Sequence, residues 1–237
     1  MPHGKIRSSQ SRPLDSTQKL RVGVIGIGYL GKFHVEKYAS IPGVQIVGLV
    51  DRIFPRAREW ADRLGTKPFS DYRELLGAVD AVSVVVPTDQ HHRVAKDFLQ
   101  SGSDVLLEKP ISSTLREAED LIATAKKFGR ILQVGHLERF NPAIQAARDK
   151  IRAPLFIESH RLTPFRGRGT EVDVVLDLMI HDLDIIIHVV RSKVEDIHAV
   201  GVPVLTEKVD IANARIQFEG GCVANITCSR ISMKQMR

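Results

Sequence analysis

The chain has 237 residues, 43% of them apolar and 26% charged, the proportions of a soluble globular protein with length for one large or two modest domains. Its net charge of +6 and pI near 9.4 invite a nucleic-acid reading, but the cations are scattered and aromatic residues are only 5%, which argues against such a partner. No stretch approaches the ~20 apolar residues of a membrane span, and the longest candidate, VVLDLMIHDLDIIIHVV, carries three Asp and two His.

Residues 1–20 are polar, carry Pro and Ser, and hold four cations against one acid. They lack the apolar run of a secretory signal and are expected to form a disordered tail. LRVGVIGIGYLG then begins with a strand, Arg21 to Ile25, and passes through glycines into a helix reaching Ser40. Gly26, Gly28 and Gly31 form G-x-G-x-x-G, with Tyr29 and Leu30 between the last two. The first glycine permits a tight turn, the second lets a pyrophosphate approach the backbone, and the third lets helix and strand pack closely. VQIVGLVD reads as the next strand and ends on Asp51, twenty residues beyond Gly31, where a carboxylate can hold ribose hydroxyls. Asp51 would repel a 2′-phosphate and so favours NAD over NADP, although Arg52 beside it leaves NADP some room.

A helix is expected over Pro55 to Leu64, then the strand DAVSVVVPT. Thr88 and His91 follow that strand, placing them over a bound dinucleotide; equally, Thr88 or Asp89 is only a helix N-cap and His91 a solvated first-turn residue. DVLLEKP is a fourth strand that delivers Glu108, Lys109 and Pro110 to the carboxyl edge of a parallel sheet, where α/β proteins bind ligands. SSTLREAEDLIATAKKFG has a Ser/Thr start, a 3.6-residue apolar stripe and a terminal Gly129, the pattern of a capped helix. RILQVGH closes this alternating series. The expected first domain is a Rossmann-like doubly wound sheet over residues 21–136.

From Leu137 the pattern changes to α+β. A helix in NPAIQAARDK and a strand in PLFIESHRL lead through the basic loop TPFRGRGTE to a long helix from Val172 to Arg191. Three strands finish the chain, the last two joined by EGG as an antiparallel hairpin. Residues 137–237 are thus expected to form an open-sheet domain, incomplete because the chain stops just after a strand. Cys222 and Cys228 fall six residues apart in one strand, roughly 20 Å at ~3.3 Å per residue, too far for a disulfide; a reducing cytoplasm is expected. On the long helix, Asp177 and His181 stand at i and i+4 and share a face, continued by Asp184 and His188. A carboxylate one turn from an imidazole can orient it as a base; a solvated polar stripe is the alternative. No metal is expected, because His181 and His188 stand too far apart to chelate together.

GVIGIGYLGKFH, VPTDQHHRVA, DVLLEKP and LDLMIHDLD, in this order and spacing, resemble the Gfo/Idh/MocA oxidoreductases across nearly the whole chain. That resemblance implies an NAD-dependent dehydrogenase in which Lys109 approaches nicotinamide and substrate hydroxyl, Glu108 lies beside the cofactor, and Asp177 and His181 complete the catalytic set. It also implies a homodimer or homotetramer built on the open sheet. GTEVDVVLD departs from the glycine-rich stretch that many relatives carry before this helix. QVGHLERFNPA further resembles the subgroup that oxidises the 3-hydroxyl of UDP-N-acetylglucosamine. Arg139 and Asn141, with Arg161, Arg166 and Arg168, could then bind a nucleotide diphosphate or sugar hydroxyls, because guanidinium forks suit phosphate. Alternatively the loop arginines are solvated and Arg139 is an ion-pair partner. Competing readings are a dehydrogenase of a free sugar or inositol, and a dinucleotide-binding regulator without turnover.

Overall fold

A computed structural model describes residues 18–148, 150–167 and 169–237, so most of the expected N-terminal tail lies outside the described residues. The chain divides into two compact units between Val134 and Gly135. Among the described residues no helix is long and apolar enough to cross a membrane.

The first unit is a six-stranded parallel sheet of β1 (Leu20–Ile25), β2 (Val44–Val50), β3 (Lys67–Phe69), β4 (Ala81–Val84), β5 (Asp104–Leu107) and β6 (Leu132–Val134), in the order β3-β2-β1-β4-β5-β6. The order reverses between β1 and β4, the switch point at which doubly wound sheets bind ligands. Consecutive side chains on a strand face opposite ways, and β1 shows it. Val24 packs with Leu49, Val35 of α1 (Gly31–Ser40), and Ala57 and Ala61 of α2 (Phe54–Leu64). Ile25 packs on the other face, in the cluster that holds Val94 and Phe98 of α3 (Thr88–Gln100) and Leu121 of α4 (Leu115–Phe128). Burying such an aliphatic or aromatic side chain is worth about 1.5–3 kcal/mol, so both faces contribute to holding the sheet. Helix α4 has the ends its sequence announces: Thr114 Oγ1 accepts the Glu117 N–H, Glu117 reaches back to the Thr114 N–H, and Gly129 is left-handed with φ 61°. The short edge strand β3 was not foreseen; KPF is three residues long and lacks an apolar run.

The second unit opens with a 3₁₀ turn (Leu137–Phe140) and α5 (Pro142–Arg148) and pairs β7 (Phe156–Leu162), β8 (Val194–Val202), β9 (Ile211–Phe218) and β10 (Val223–Ser229) in the order β7-β10-β9-β8. The hairpin joined by EGG is antiparallel, as expected, while β10 runs parallel to β7. Residues of β9 alternate between exposed and buried. The buried ones, Ala212, Ala214, Ile216 and Phe218, pack with Val174, Met179 and Ile186, so one face of the sheet is covered by the long helix. That helix is not uniform: Val175–Met179 is π-helical and runs into α6 (Ile180–Val190). Cys222 and Cys228 are both free and buried.

Candidate active site

The glycine loop is shaped by what its missing side chains would strike. Gly26 has φ 93°, and a Cβ there would lie 2.3 Å from the Val85 carbonyl oxygen; one on Gly31 would lie 1.8 Å from that of Gly26. Gly28 faces open space within 4 Å, so a ligand backbone can come close there. Beside it is a cavity of about 440 Å³ lined by Gly26, Gly28, Asp51 and Arg52, together with Arg56, Tyr72, Arg73 and Arg93. Asp51 is buried, and its carboxylate accepts the Ile27 N–H and the Ile53 N–H, each at 2.8 Å. An open glycine, a fixed carboxylate and a helix N-terminus in one cavity fit a dinucleotide. Tyr29 and Leu30 are exposed at the turn into α1, and Leu30 occupies its N-cap position.

The lining arginines other than Arg52 escaped the sequence reading because they come from α2, a 3₁₀ turn at Tyr72–Leu75 and α3, far apart in the chain. Arg73 is held by Asp71 at 3.0 Å, which places its charge at the rim with a partner.

The structure corrects two residues after β4. Pro87 occupies the N-cap position of α3 and no side chain caps the helix, so Thr88 is a buried first-turn residue and not the cap. His91 is 1% exposed: neither solvated nor part of the cavity lining. Its Nδ1 lies 2.8 Å from the Pro110 carbonyl oxygen and its Nε2 2.8 Å from that of Val86, tying the loop after β5 to the end of β4. Burial pushes the imidazole below its ordinary value, against the pull of those carbonyls and of Glu108 and Asp89. A neutral ring donates to one carbonyl at a time.

Glu108 and Lys109 leave the end of β5, and the Lys109–Pro110 peptide is cis. The Glu108 N–H donates to the Val84 carbonyl at 3.1 Å and its carboxylate accepts the Lys109 N–H at 3.3 Å. Glu108 is 6% exposed, and its Oε1 lies 3.0 Å from His34 Nε2. Burial pushes this carboxyl up, but the hydrogen bond and charge of His34 and the nearby Lys109 outweigh it and leave the group below its usual range. His34 and Ser83 were missed in the sequence. The signal was a lone serine inside the apolar run AVSVVV and a histidine one turn into the helix after the glycines.

In the second unit, Asp177 lies in the π-helical segment and His181 at the second position of α6. Single π turns concentrate at functional sites. The preceding loop comes close to Asp177: a Cβ on Gly169, which has φ 72°, would sit 2.6 Å from its carboxylate. Arg230, 4% exposed, fixes that loop by donating to the Gly169 and Val172 carbonyls at 2.8 Å each.

The expected substrate ligands fare unequally. Arg139 donates Nε to Asp184 Oδ2 at 2.7 Å and Nη2 to Oδ1, a bidentate pair, so the ion-pair alternative describes it. Arg161 is buried and forms the same kind of pair with Asp182, at 2.7 and 3.0 Å. Asn141 Oδ1 accepts the Ala143 N–H at 3.0 Å, capping α5. Arg166 is exposed, with Nη2 3.4 Å from Gln235 Oε1. Arg168 lies outside the described residues. Among the described residues no group of three or more His, Cys, Asp or Glu could hold a metal ion.

Known proteins with these features are recognisable by sequence. Residues 20–136 match the model of an oxidoreductase family with an NAD-binding Rossmann fold, and residues 115–237 match the GFO/IDH/MocA C-terminal domain. The chain is 42% identical over 219 residues to the UDP-N-acetylglucosamine 3-dehydrogenase of Acidithiobacillus ferrooxidans, covering 92% of this chain and 69% of that protein. A solved structure of that enzyme superposes with a TM-score of 0.85 at 41% identity, covering 92% of this chain and 72% of the other. The NAD(+)-dependent scyllo-inositol 2-dehydrogenase of Bacillus subtilis is 29% identical, over 90% of this chain and 68% of its own length.

Proposed function

The chain belongs to the Gfo/Idh/MocA oxidoreductases, and from that premise we propose that it oxidises the 3-hydroxyl of UDP-N-acetylglucosamine to a ketone with NAD as hydride acceptor. The observation that carries the substrate is the 42% identity to an enzyme of that name, which runs through both units instead of the dinucleotide-binding half alone. NAD supplies an electrophilic carbon that takes hydride from the carbinol. Asp51, Gly26 and Gly28 support its adenosine and pyrophosphate, and the repulsion of a 2′-phosphate by Asp51 sets NAD over NADP.

The chain's own residues handle the proton. Hydride leaves the carbinol carbon only as the hydroxyl proton leaves, so a base is needed within about 3 Å of that oxygen. His181 takes that role, Asp177 four residues earlier orients it, and the Lys109 ammonium stabilises the alkoxide charge as it develops. Arg166 and Arg168 are the candidates for the diphosphate, since Arg139 and Arg161 are engaged by carboxylates. Asn141 donates one of its two Nδ2–H groups to Glu138 at 3.2 Å, which leaves the other for a sugar hydroxyl. The exposed residues of β8, among them Ile197, Val200 and Val202, favour assembly into a homodimer or homotetramer, and two free thiols suit the cytoplasm.

The test compares UDP-N-acetylglucosamine with free N-acetylglucosamine, glucose and myo-inositol by NADH formation, with an amine donor and an aminotransferase to draw off the ketone. Only the nucleotide sugar should turn over efficiently, because the remote diphosphate supplies binding energy that positions the reacting carbon. Equal or faster oxidation of a free sugar or inositol would overturn the substrate assignment.

A further inference from the structure

Behind Glu108 the first unit contains a continuous polar chain inside otherwise apolar packing. Tyr38 OH lies 2.8 Å from Ser83 Oγ, Ser83 Oγ 3.1 Å from His34 Nδ1, and His34 Nε2 3.0 Å from Glu108 Oε1. Ser83 has no exposed surface, Glu108 is 6% exposed and the His34 side chain 13%. Three secondary-structure elements meet in it: Tyr38 and His34 sit one helical turn apart on α1, Ser83 is in β4 and Glu108 directly follows β5. A lone buried hydroxyl in a strand or a lone imidazole in a helix would be costly; joined, each satisfies the next.

The chemistry of the chain has a direction. An ionised carboxylate only accepts, so His34 Nε2 must donate to Glu108. With the ring neutral, its Nδ1 accepts from Ser83, which in turn accepts from Tyr38. With the ring protonated, both hydroxyls rotate and the chain runs the other way without losing a bond. Glu108 is therefore held in either state of His34, and its second oxygen accepts the Lys109 N–H. The remaining charged and titratable groups acting on Glu108 are Lys109 and, across the loop, His91.

Resting on the functional reading above, we propose that His34 is a positioning residue for hydride transfer: braced by Ser83 and Tyr38, it fixes the Glu108 carboxylate and through it the Lys109 backbone. His34 does not touch substrate. Its loss should lower kcat and leave the KM values for NAD and sugar nearly unchanged, since misplacing a reacting group by about 1 Å costs on the order of a hundredfold.

Three variants divide its contacts. His34→Gln reaches as far as Nε2 and keeps a donor for Glu108; His34→Asn reaches only as far as Nδ1; His34→Leu keeps neither. We expect kcat to fall about 10- to 100-fold in the Leu and Asn variants and to recover most of the way in the Gln variant. His34→Leu combined with Glu108→Gln should be no worse than Glu108→Gln alone, because the histidine acts through that carboxylate. The Glu108 carboxyl, followed by NMR in protein carrying ¹³C-glutamate, should titrate at higher pH in His34→Leu, a readout that needs no substrate. Near-ultraviolet circular dichroism checks folding, and the near-isosteric Gln and Asn variants remain decisive if the Leu variant fails to fold. An active wild type with kcat unchanged in all three variants, equal losses in Gln and Asn, or losses that multiply in the double variant would overturn this inference alone. A wild type that forms no NADH with any sugar tested would overturn the functional reading, and this inference with it.

Discussion

Asp51 at the end of β2 accepts the backbone N–H of Ile27 at 2.8 Å, so the carboxylate expected at the ribose is also a strut for the glycine loop. Its other oxygen accepts the Ile53 N–H at 2.8 Å, which holds it on the cavity wall. Asp51→Ala should therefore act twice. Loss of a ribose acceptor costs about 1–3 kcal/mol, or roughly ten- to a hundredfold in NAD affinity, and loosening of the loop adds to it. The same substitution leaves Arg52, Arg56 and Arg93 lining a cavity whose remaining acid, Asp71, is paired with Arg73, so NADP should gain relative to NAD. Isothermal titration with both cofactors checks this; an unchanged NAD/NADP ratio would remove Asp51 from the ribose site.

His181→Ala should lower kcat by roughly 10²–10⁴ while NAD affinity stays nearly intact, because the proposed role is proton transfer and not cofactor binding. Lys109→Ala should impair both, since by its proposed role it meets cofactor and substrate. Stopped-flow NADH formation, with NADH affinity from fluorescence, separates the two. Near wild-type turnover in His181→Ala would move the base elsewhere, with Lys109 the first candidate.

Much of the fold was legible in the sequence because parallel strands buried on both faces read as uninterrupted apolar runs, and helices such as α4 carry their caps in the chain. The glycine loop and Asp51 were legible for the same local reason. Contacts between distant segments were not. Arg139 and Arg161 read as phosphate ligands, with an ion pair as the alternative for Arg139, because the sequence cannot say which carboxylate a guanidinium will meet; Asp184 and Asp182, two residues apart on the long helix, claim them. His91 read as a cofactor residue by its place after β4, yet the turn of α3 carries it inward to the Val86 and Pro110 carbonyls. The π-helical segment at Val175–Met179 leaves no mark in a pattern that continues a 3.6-residue period through it.

Arg139→Ala should lower stability more than it alters substrate binding. The Asp184 side chain is 8% exposed, so removing its bidentate partner leaves a nearly buried carboxylate with His136 Nδ1 3.8 Å away. Because the arginine itself is 45% exposed, the cost should be about 1–2 kcal/mol instead of that of a fully buried pair. Denaturant unfolding measures it alongside KM for UDP-N-acetylglucosamine. A KM raised more than about tenfold at unchanged stability would return Arg139 to the substrate.

Asp210 supplies the clearest acid dependence of the second unit. It has no exposed surface, and one carboxylate oxygen accepts the N–H groups of Val204, Leu205 and Thr206 at 2.7–2.9 Å while the other accepts the Thr206 hydroxyl. Burial pushes the group up, but these donors outweigh it and hold the carboxyl well below its usual 3.8. The unfolded chain therefore takes up this proton first as pH falls. The stabilisation is fully present above about pH 4.5 and is lost as pH drops toward the native value, since stability rises with pH wherever the unfolded state binds more protons. Asp210→Ala leaves three backbone donors without an acceptor and Arg230, 3.8 Å away, without its carboxylate. It should cost on the order of 3 kcal/mol at pH 7. Other carboxylates titrate in the same window, so the informative quantity is the difference between wild type and variant, by urea unfolding from pH 7 down to pH 3. That difference should be constant from pH 7 to about 4.5 and shrink below; a gap that stays constant to pH 3 would show that Asp210 holds its turn by shape and not by charge.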